Sequence, residues 1–420
     1  MKKQALKGNI IYSETPDKLA IYENAYVLYD EDGLCQGVTK ELPRDEEVEV
    51  SDYGTALIIP GLFDIHAHAP QYAFRGLGMD KELLDWLDTY TFPEESRYGD
   101  MSYAKEAYDI FVDDLVHVGT TRVCLFATVH TESVLYLMDK LEEAGICGYV
   151  GKVSMNRNCC DELKEEDAAG AIRDWLNACD GRYKRVQPIL TPRFIPSCSD
   201  DLMRAIAQIQ KETGMPLQSH LSENISECEW VKELVPESTS YADAYDRFGT
   251  FGQYGTTVMA HGVHCSKEER ALMAKRGVVL AHSPESNINL TSGVAPVKRY
   301  LEEGVSVGLA TDMAGGANLS MLRAMAYAIE GSKMRTRLLD EDATITLEQA
   351  FYIATKGGGS IFGKVGSFES GYEMDAVVLK DDWIRSPMEV TTRDRLERLI
   401  YLGDNRAVAA SYAKGRKLFS

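Results

Sequence analysis

The sequence predicts an α/β protein, with a TIM-like (β/α)8 barrel and a small β-sandwich formed by both chain ends. From about residue 57 to residue 316, short apolar runs alternate with longer segments of helical spacing. Several of these runs are continuously apolar, as expected of parallel strands buried on both faces. Both chain ends instead contain short strand-like runs broken by turns. Eight successive βα units favour a closed barrel.

The strand-like runs are each about one strand long, and most are bordered by Gly or Pro. They lie at 57–68, 121–127, 148–155, 186–194, 216–220, 257–261, 278–282 and 305–312. The intervening segments have helical spacing; in one of them Ala104, Tyr108, Phe111 and Leu115 form an apolar stripe behind an N-cap at Asp100. The chain therefore predicts eight strands, each followed by a helical segment.

The two chain ends are similar in character, which predicts that they pair in space. Residues 366–420 contain strand-like runs at 375–380 and 399–402, and the N-terminal residues contain others. We expect residues 1–59 and 366–420 to form the two parts of the β-sandwich. Residues 60–365 would then form the catalytic barrel.

Composition limits the partners of this chain. It has 420 residues, 45% of them hydrophobic, and a formal charge of -20 at pH 7. This charge disfavours nucleic acid and anionic membrane surfaces, so a small-molecule partner is expected. No apolar segment approaches the roughly 20 residues of a membrane span. The start lacks a secretory pattern and the nine cysteines lack a C-x-x-C pair, which predicts a cytoplasmic protein with reduced thiols.

Side chains that could bind a metal fall at the ends of five predicted strands. They are His66, His68, His220, His261, His282 and Asp312. Because the carboxyl ends of barrel strands form the active-site face, these side chains are expected to converge. Residues two apart on a strand point to the same face, so the H-x-H pair of His66 and His68 could bind one ion.

Three imidazoles and a carboxylate, from His66, His68, His220 and Asp312, make a site suited to Zn²⁺, with Fe²⁺ as the alternative. A bound water would fall in pKa from about 16 to about 7, which predicts hydrolysis by a metal-activated hydroxide. Glu223, three residues after His220, is placed to act as a general acid and base.

The remaining candidate motifs carry weaker expectations. His117 lies in a predicted helix and is expected to be structural, whereas His130 follows the second strand and could line the cavity. His264 and His282 are expected in loops or behind the metal ligands. The glycine-rich stretch 357–363 lacks the lysine of a phosphate loop and predicts a turn after a helix. The chain also lacks a G-x-S-x-G elbow and the P-C-x-x-C of cytidine-deaminase zinc sites.

Taken together, these motifs resemble a known family. The segment 60–68, with Ser219-His220, Ala260-His261-Gly262 and Thr311-Asp312, is similar to the single-metal deaminase branch of the amidohydrolase superfamily. Further segments resemble the guanine deaminase family in particular and extend the likeness over nearly the whole chain. They are 68–74, Trp86 with 90–93, 191–194, 219–224, 312–316 and 401–404.

The resemblance implies a role for each site residue. His66, His68, His220 and Asp312 would bind one metal ion, and His261 with Asp312 would orient the hydroxide. Glu223 would move protons from the water to the purine ring and then to the departing amine. The reaction would convert guanine and water into xanthine and ammonia, in a homodimeric enzyme.

The resemblance also implies how the base is bound. Gln71 and Arg193 would hydrogen-bond its polar edge and Phe194 would pack on its face, with His220 and Glu223 also contacting the substrate. A buried carbonyl or ring nitrogen left unpaired would cost about 1–3 kcal/mol. Adenine would therefore be rejected through mismatched hydrogen bonds.

Three residues depart from the pattern expected of this family. Ser283 and Glu285 stand where Cys and Asn are expected, and Arg75 adds a charge beside the substrate motif. These departures concern the selectivity for purines more than the chemistry.

Three alternatives stay open. One is another single-metal deaminase, acting on a thioadenosine nucleoside, cytosine or a triazine; Gln71 and Arg193 with their neighbours argue against it. A two-metal hydrolase would need a bridging lysine at the end of the fourth strand, where the sequence has Thr191-Pro192-Arg193. A non-catalytic relative would be expected to lack metal ligands that are all present here.

Overall fold

The computed structural model describes residues 3–44, 47–339 and 342–419. The first part of the chain forms four strands: β1 (Lys3–Thr15), β2 (Lys18–Tyr29), β3 (Cys35–Thr39) and β4 (Val48–Pro60). β1 and β2 form an antiparallel hairpin that turns at residues 16 and 17, and β1 pairs in parallel with β4. This part of the chain therefore contributes four strands to a sheet outside the barrel.

The barrel is built from ten strand segments, because its third and fourth strands are each interrupted. The segments are β5 (Leu62–His68), β6 (Thr120–Phe126), β7 (Cys147–Gly151), β8 (Val153–Ser154), β9 (Val186–Pro188), β10 (Thr191–Pro192), β11 (Leu217–Leu221), β12 (Thr257–His261), β13 (Val279–His282) and β14 (Val307–Leu309). Parallel pairing joins β5-β6-β7-β9 into one sheet and β11-β12-β13-β14 into another, and β8 pairs with β10.

Backbone hydrogen bonds close these sheets into a barrel. Leu190 N–H donates to Pro216 O and Gln218 N–H donates to Leu190 O, each at 2.9 Å. On the opposite side, Asp312 N–H donates to His66 O at 2.9 Å. The predicted (β/α)8 fold is confirmed, and the second seam runs directly through two predicted metal ligands.

The first predicted run, 57–68, is divided between two domains. Its first residues belong to β4, and β5 begins at Leu62, after Gly61. Gly61 N–H donates to Asp375 O at 2.9 Å. A Cβ on Gly61 would lie 2.1 Å from Thr121 Oγ1, so only glycine allows this close approach. A single apolar run thus crosses from the small sheet into the barrel.

Fourteen α-helices surround the strands or lie in the loops between them within the described residues. They are α1 (Leu83–Trp86), α2 (Phe92–Ser96), α3 (Met101–Val116), α4 (Thr131–Ala144), α5 (Ala168–Cys179), α6 (Asp200–Thr213), α7 (Ile225–Leu234), α8 (Tyr241–Phe248), α9 (Lys267–Arg276), α10 (Pro284–Asn289), α11 (Val297–Glu302), α12 (Met321–Leu339), α13 (Leu347–Tyr352) and α14 (Thr392–Leu402). Asp100 caps α3 as predicted, accepting from Ser102 N–H at 2.8 Å. Among the described residues, no helix has both the length and the apolar character of a membrane span.

The end of the chain completes the small β domain. The last strands are β15 (Ala376–Leu379), β16 (Val408–Ala413) and β17 (Arg416–Phe419). One seven-stranded sheet results, in the order β17-β16-β15-β4-β1-β2-β3. The two chain ends therefore pair in space, as predicted. The division at residues 60 and 366 stays a prediction.

One predicted strand is wrong: residues 399–402 lie in helix α14. The side chains of Leu396, Leu399 and Ile400 are buried at helical spacing. A capping box between Thr391 and Asp394 begins this helix. Four apolar residues are too few to distinguish the period of a helix from that of a strand. The capping residues Thr391 and Asp394, upstream of the apolar run, were the informative signal.

The barrel interior beneath the strand ends is filled with apolar side chains. They include Phe63, Ile65, Cys124, Ile189, Val258, Ala260, Val279, Ala281 and Ala310. The polar strand ends therefore lie next to a closely packed apolar interior.

Candidate active site

Four barrel strands deliver five polar side chains to one face of the barrel. His66 and His68 lie at the end of β5, His220 lies in β11 and His261 ends β12. Asp312 follows β14 by three residues. All five side chains are buried. The structure thus brings together the predicted metal ligands His66, His68, His220 and Asp312, with His261 beside them.

The donor atoms of these side chains converge. His66 Nε2 lies 3.1 Å and His68 Nε2 lies 3.5 Å from Asp312 Oδ1. The Nε2 atoms of His68 and His220 are 3.1 Å apart, and His261 Nε2 is 3.8 Å from Asp312 Oδ2. Two overlapping groups, His66-His68-His220 and His66-His261-Asp312, each hold their donor atoms within 4.8 Å of one another.

This donor set fits a divalent metal ion. His66 Nε2 and His261 Nε2 are buried without a hydrogen-bond partner, although each lies near a carboxylate. Buried polar atoms are normally paired, because leaving them unpaired costs free energy. Imidazole nitrogens and a carboxylate oxygen are the ligands that Zn²⁺ and Fe²⁺ accept. A cation bound between these two nitrogens would supply the partner that each of them lacks.

Hydrogen bonds behind the site fix which imidazole nitrogen faces it. His220 Nδ1 lies 2.6 Å from Arg193 O, and a carbonyl only accepts, so the proton is on Nδ1. His261 Nδ1 lies 2.9 Å from Asn287 Oδ1, which also accepts. Both rings therefore present the lone pair of Nε2 to the site.

Burial sets the charge of these groups. It lowers the pKa of His68 and His220 well below the ordinary histidine value, and it lowers the pKa of His261 to about 4. The lowered pKa values favour the neutral form of these three imidazoles, which is the form that binds a metal ion. Burial also raises the pKa of Glu223 well above its ordinary value, and the charges of Asp312 and Glu227 act in the same direction. A carboxyl with a raised pKa is a stronger base than an ordinary glutamate, which suits it to accept a proton and pass it on.

Glu223 lies over the donor cluster. Its Oε2 is 3.4 Å from His261 Nε2, and its Oε1 is buried without a partner. The N–H groups of Glu223 and Asn224 donate to Glu227 Oε2 at 2.9 and 3.3 Å. Glu227 thus fixes the backbone that carries the predicted proton carrier, a role that the sequence analysis missed.

The backbone is strained at three points of this face. Ser222, His261 and Asp312 have φ values of 47°, 75° and 49°, in the left-handed region that favours glycine. Each lies at or just beyond the end of a barrel strand. Such strain persists where the surrounding structure holds it, and it is concentrated at functional sites.

The donor cluster opens into a cavity on the same face of the barrel. Its lining combines polar and apolar residues, as small-molecule sites do. The lining residues are His68, Gln71, Leu83, Trp86, Leu87, Arg193, Phe194, His220, Glu223, Glu227, Leu290 and Asp312. The predicted substrate-binding residues Gln71, Arg193 and Phe194 therefore lie in one cavity with His220 and Glu223.

A second residue missed by sequence reasoning is Glu95, on α2. Its side chain is buried, and its two oxygens accept from Gln71 Nε2 at 2.9 Å and from Arg193 Nη1 at 2.5 Å. Asp64 was also missed; it accepts from Thr311 N–H at 3.0 Å and ties β5 to the segment that carries Asp312. No local pattern marks either residue, because their partners lie far away in the chain.

The remaining histidines lie outside the donor cluster, in accordance with the weaker expectations. His117 ends α3, where its Nδ1 contacts Asp113 O at 2.6 Å. His264 Nε2 contacts Ser292 O at 2.8 Å, and His282 is buried at the end of β13. His130 stands at the start of α4 and is not among the residues that line the cavity.

The three departures lie around the cavity and do not line it. Arg75 is exposed and stacks on the Tyr72 ring at 3.8 Å. Glu285 is buried, with Arg323 Nε at 3.4 Å from its carboxylate, and Ser283 is buried on the same loop. None of the three is among the residues that line the cavity.

With this geometry established, the comparisons with known proteins identify the class. A sequence model of the amidohydrolase family matches residues 57–418. The chain belongs to the amidohydrolase family.

Closer relatives place it among the guanine deaminases. Guanine deaminase of Dictyostelium discoideum is 36% identical over 439 residues, covering 98% of this chain and 97% of its own length. The Homo sapiens enzyme is 38% identical over 375 residues, covering 86% and 82%. The solved structure of guanine deaminase from C. acetobutylicum with bound guanine is 42% identical, covers 99% of this chain and 100% of its own, and has a TM-score of 0.95.

Proposed function

We propose that this protein is a guanine deaminase, which hydrolyses guanine to xanthine and ammonia at a single-metal site. The observation that carries the proposal is that two groups of polar residues meet at one cavity. The convergent donors with Glu223 form one group, and Gln71 with Arg193 forms the other, which we call the recognition end. The relatives that carry this activity cover nearly the whole chain.

We propose His66, His68, His220 and Asp312 as the ligands of one ion, Zn²⁺ first and Fe²⁺ as the alternative. Such an ion, when bound, lowers the pKa of a coordinated water from about 16 to about 7. None of the described residues that line the cavity is a lysine, which also favours one ion over a lysine-bridged pair. Among the ligands, His220 is held in a fixed orientation by the hydrogen bond of its Nδ1 to Arg193 O.

Glu223 is the proton carrier of the proposed reaction. It takes a proton from the attacking water and delivers it to a ring nitrogen, while a new C–O bond forms at C2 of the base. Glu223 then transfers the proton of the new C2 hydroxyl to the exocyclic nitrogen, the C2–N bond breaks, the C2 carbonyl forms, and ammonia leaves. The elevated pKa of Glu223 matches this exchange, since the group must hold and release a proton near neutral pH.

His261 and Asp312 orient the attacking water. His261 Nε2 lies between the two carboxylates, 3.4 Å from Glu223 Oε2 and 3.8 Å from Asp312 Oδ2. This position restricts the directions from which water approaches the base. The pairing of β11 with β12 holds the strained backbone of His261, and the hydrogen bond from Asp312 N–H to His66 O holds that of Asp312, so both side chains are preorganised.

Gln71, Arg193 and Phe194 recognise the base. The first two offer donors and an acceptor to the carbonyl and the nitrogens of guanine, and Phe194 provides an apolar face. His220 and Glu223 contact the same ligand from the other side. Adenine has an amine where guanine has the carbonyl, so it would leave buried donors unpaired.

We further propose a cytoplasmic homodimer that acts in purine degradation. The nine cysteines, all described and all unpaired, favour a reducing compartment. The homodimer and the place in purine breakdown are expectations from the family resemblance.

The test is xanthine formation from guanine by the purified protein, before and after chelation. We expect activity that chelation abolishes and that added Zn²⁺ restores, with one ion per chain by metal analysis. Ammonia release from adenine, adenosine derivatives, cytosine and a triazine should be far slower. An enzyme inert to guanine but active on one of these would contradict the substrate, and two tightly bound ions per chain would contradict the single-metal site.

A further inference from the structure

Glu95 connects the two residues that recognise the base. It lies on α2 and its side chain is 1% exposed. Its Oε1 accepts from Gln71 Nε2 at 2.9 Å, and its Oε2 accepts from Arg193 Nη1 at 2.5 Å. Gln71 and Arg193 follow two different barrel strands, β5 and β10, and both line the cavity. One buried carboxylate therefore joins the two polar groups of the recognition end.

We infer that Glu95 is a positioning residue that orients Gln71 and Arg193 toward the base and cancels the charge of Arg193. This inference rests on the proposed function, and it assigns a role to a residue that itself lies outside the cavity lining.

The contacts of Gln71 show how its orientation is fixed. The amide group of a glutamine can rotate by about 180° and so exchange its donor NH₂ end with its acceptor oxygen. Glu95 accepts only from the NH₂ end, and Ala314 N–H donates to Gln71 Oε1 at 3.2 Å. The two contacts select one orientation. Each end of the amide keeps capacity for one further hydrogen bond, which a bound base can use.

Arg193 needs Glu95 for a different reason. Its guanidinium is buried, 2% exposed, with the Phe92 ring at 5.3 Å. A buried charge is costly unless it is paired, and removal of one partner leaves the other uncompensated. The Arg193–Glu95 pair has no net charge, yet Arg193 retains further N–H donors. The cavity therefore offers donors to a neutral base without attracting an anion.

The adjacent Glu94 provides a matched comparison. It lies on the same helix, but its carboxylate contacts Tyr103 and Arg97, with Arg97 Nη1 at 3.1 Å. Neither of these partners lines the cavity. Glu94 thus shares the helix, the charge and the side-chain length of Glu95 but has no link to the recognition end.

The experiment compares Glu95→Gln, Glu95→Asp and the control Glu94→Gln in the metal-loaded enzyme. Glutamine retains one oxygen, so one of the two donors loses its acceptor and Arg193 loses its counter-charge. We expect the guanine KM of Glu95→Gln to rise about 10- to 100-fold. Inhibition by xanthine should strengthen at mildly alkaline pH, where part of the xanthine is an anion. Glu94→Gln should match the wild-type protein in both measurements.

Glu95→Asp separates geometry from charge. Its shorter side chain keeps the charge but cannot reach both partners, so KM should rise while inhibition by xanthine stays at the wild-type level. This variant also carries the test if Glu95→Gln does not fold. If either folded variant shows wild-type KM and wild-type xanthine inhibition, or loses only thermal stability, Glu95 is structural and the inference is wrong. Turnover of guanine by the wild-type protein in the same assay separates failure of this inference from failure of the proposed function. A wild-type protein that is inert to guanine refutes the proposed function. If the wild-type protein is active, the variants test the role of Glu95 alone.

Discussion

Two groups of polar residues meet at the cavity: the donor cluster with Glu223, which we call the deep end, and the recognition end of Gln71 and Arg193 with Glu95. In the first group, the rings of His220 and His261 present the lone pair of Nε2 to the site, whereas the residues of the second group hydrogen-bond one another. His66 Nε2 and His261 Nε2 are buried without a hydrogen-bond partner. The three recognition residues instead share hydrogen bonds of 2.5 to 2.9 Å. The deep end is incomplete as protein alone and requires a ligand to complete it, whereas the recognition end is preorganised before a base arrives.

This difference separates the consequences of mutation at the two ends. A change at the deep end removes a group that participates in bond making, so it should lower the rate of the chemical step. A change at the recognition end alters how a neutral base is held, so it should act chiefly on KM and on the choice of base.

The largest effect is expected from Glu223→Gln. The amide cannot carry a proton between water, ring nitrogen and amine, so kcat should fall about 10²- to 10⁴-fold. Glu223 is not a proposed metal ligand, and metal analysis should still find one ion per chain. Steady-state kinetics with metal content measured on the same sample tests both statements.

Glu229→Gln is the matched control, because Glu229 is an exposed carboxylate on α7, the helix that begins just after Glu223. Its kinetics should equal those of the wild-type protein. Full turnover by Glu223→Gln would remove Glu223 from the mechanism. Loss of the ion would instead show that the deep end depends on Glu223 for its assembly.

An intermediate effect is expected from Gln71→Met at the recognition end. Methionine is close to glutamine in size but offers no amide, so guanine loses a donor and an acceptor. The guanine KM should rise about 5- to 100-fold, and the preference for guanine over adenine should narrow. Kinetics with both bases measure this, with the exposed Gln208→Met as control. A fall in kcat with unchanged KM would mean that the two ends are not separable.

The sequence reveals these two ends to different degrees. Strand ends of a parallel barrel meet at one face whatever the loops do, so the spacing of His66, His68, His220 and Asp312 predicts their convergence on physical grounds. Gln71 and Arg193 follow their strands on irregular segments. Their direction depends on tertiary contacts, and only the family resemblance indicated them.

Glu95 shows why the remainder could not be predicted. Glu94 and Glu95 are neighbours on one short helix, yet only Glu95 contacts the cavity residues. Its partners are 24 and 98 residues away in the chain, so no local pattern distinguishes the two glutamates. The prediction of a strand at 399–402 was wrong for a related reason. Four apolar residues fit both the helical and the strand period, and only packing decides between them.

The last prediction concerns stability rather than activity, and it tests Glu227, whose carboxylate accepts from the backbone N–H of Glu223. Burial raises the pKa of Glu227 to about 7, from an ordinary value of 4.5. Between those pH values the folded chain holds a proton that the unfolded chain has released, so stability falls as pH rises, by up to about 1.4 kcal/mol per pH unit. Glutamine does not titrate. The Tm of Glu227→Gln minus that of the wild-type protein should therefore increase from about pH 4.5 to about pH 7 and then level off.

Thermal unfolding of both proteins across this range measures that slope, and a constant offset from altered hydrogen bonds leaves the slope unchanged. Glu227 accepts from two backbone N–H groups and from Tyr241 Oη–H at 2.8 Å, all of which favour the carboxylate. A flat difference would mean that these donors outweigh burial and that Glu227 is charged throughout. The Glu223 loop would then be held by an anion 4 residues along the chain. The positive slope would mean instead that a carboxyl that is neutral below about pH 7 supports it.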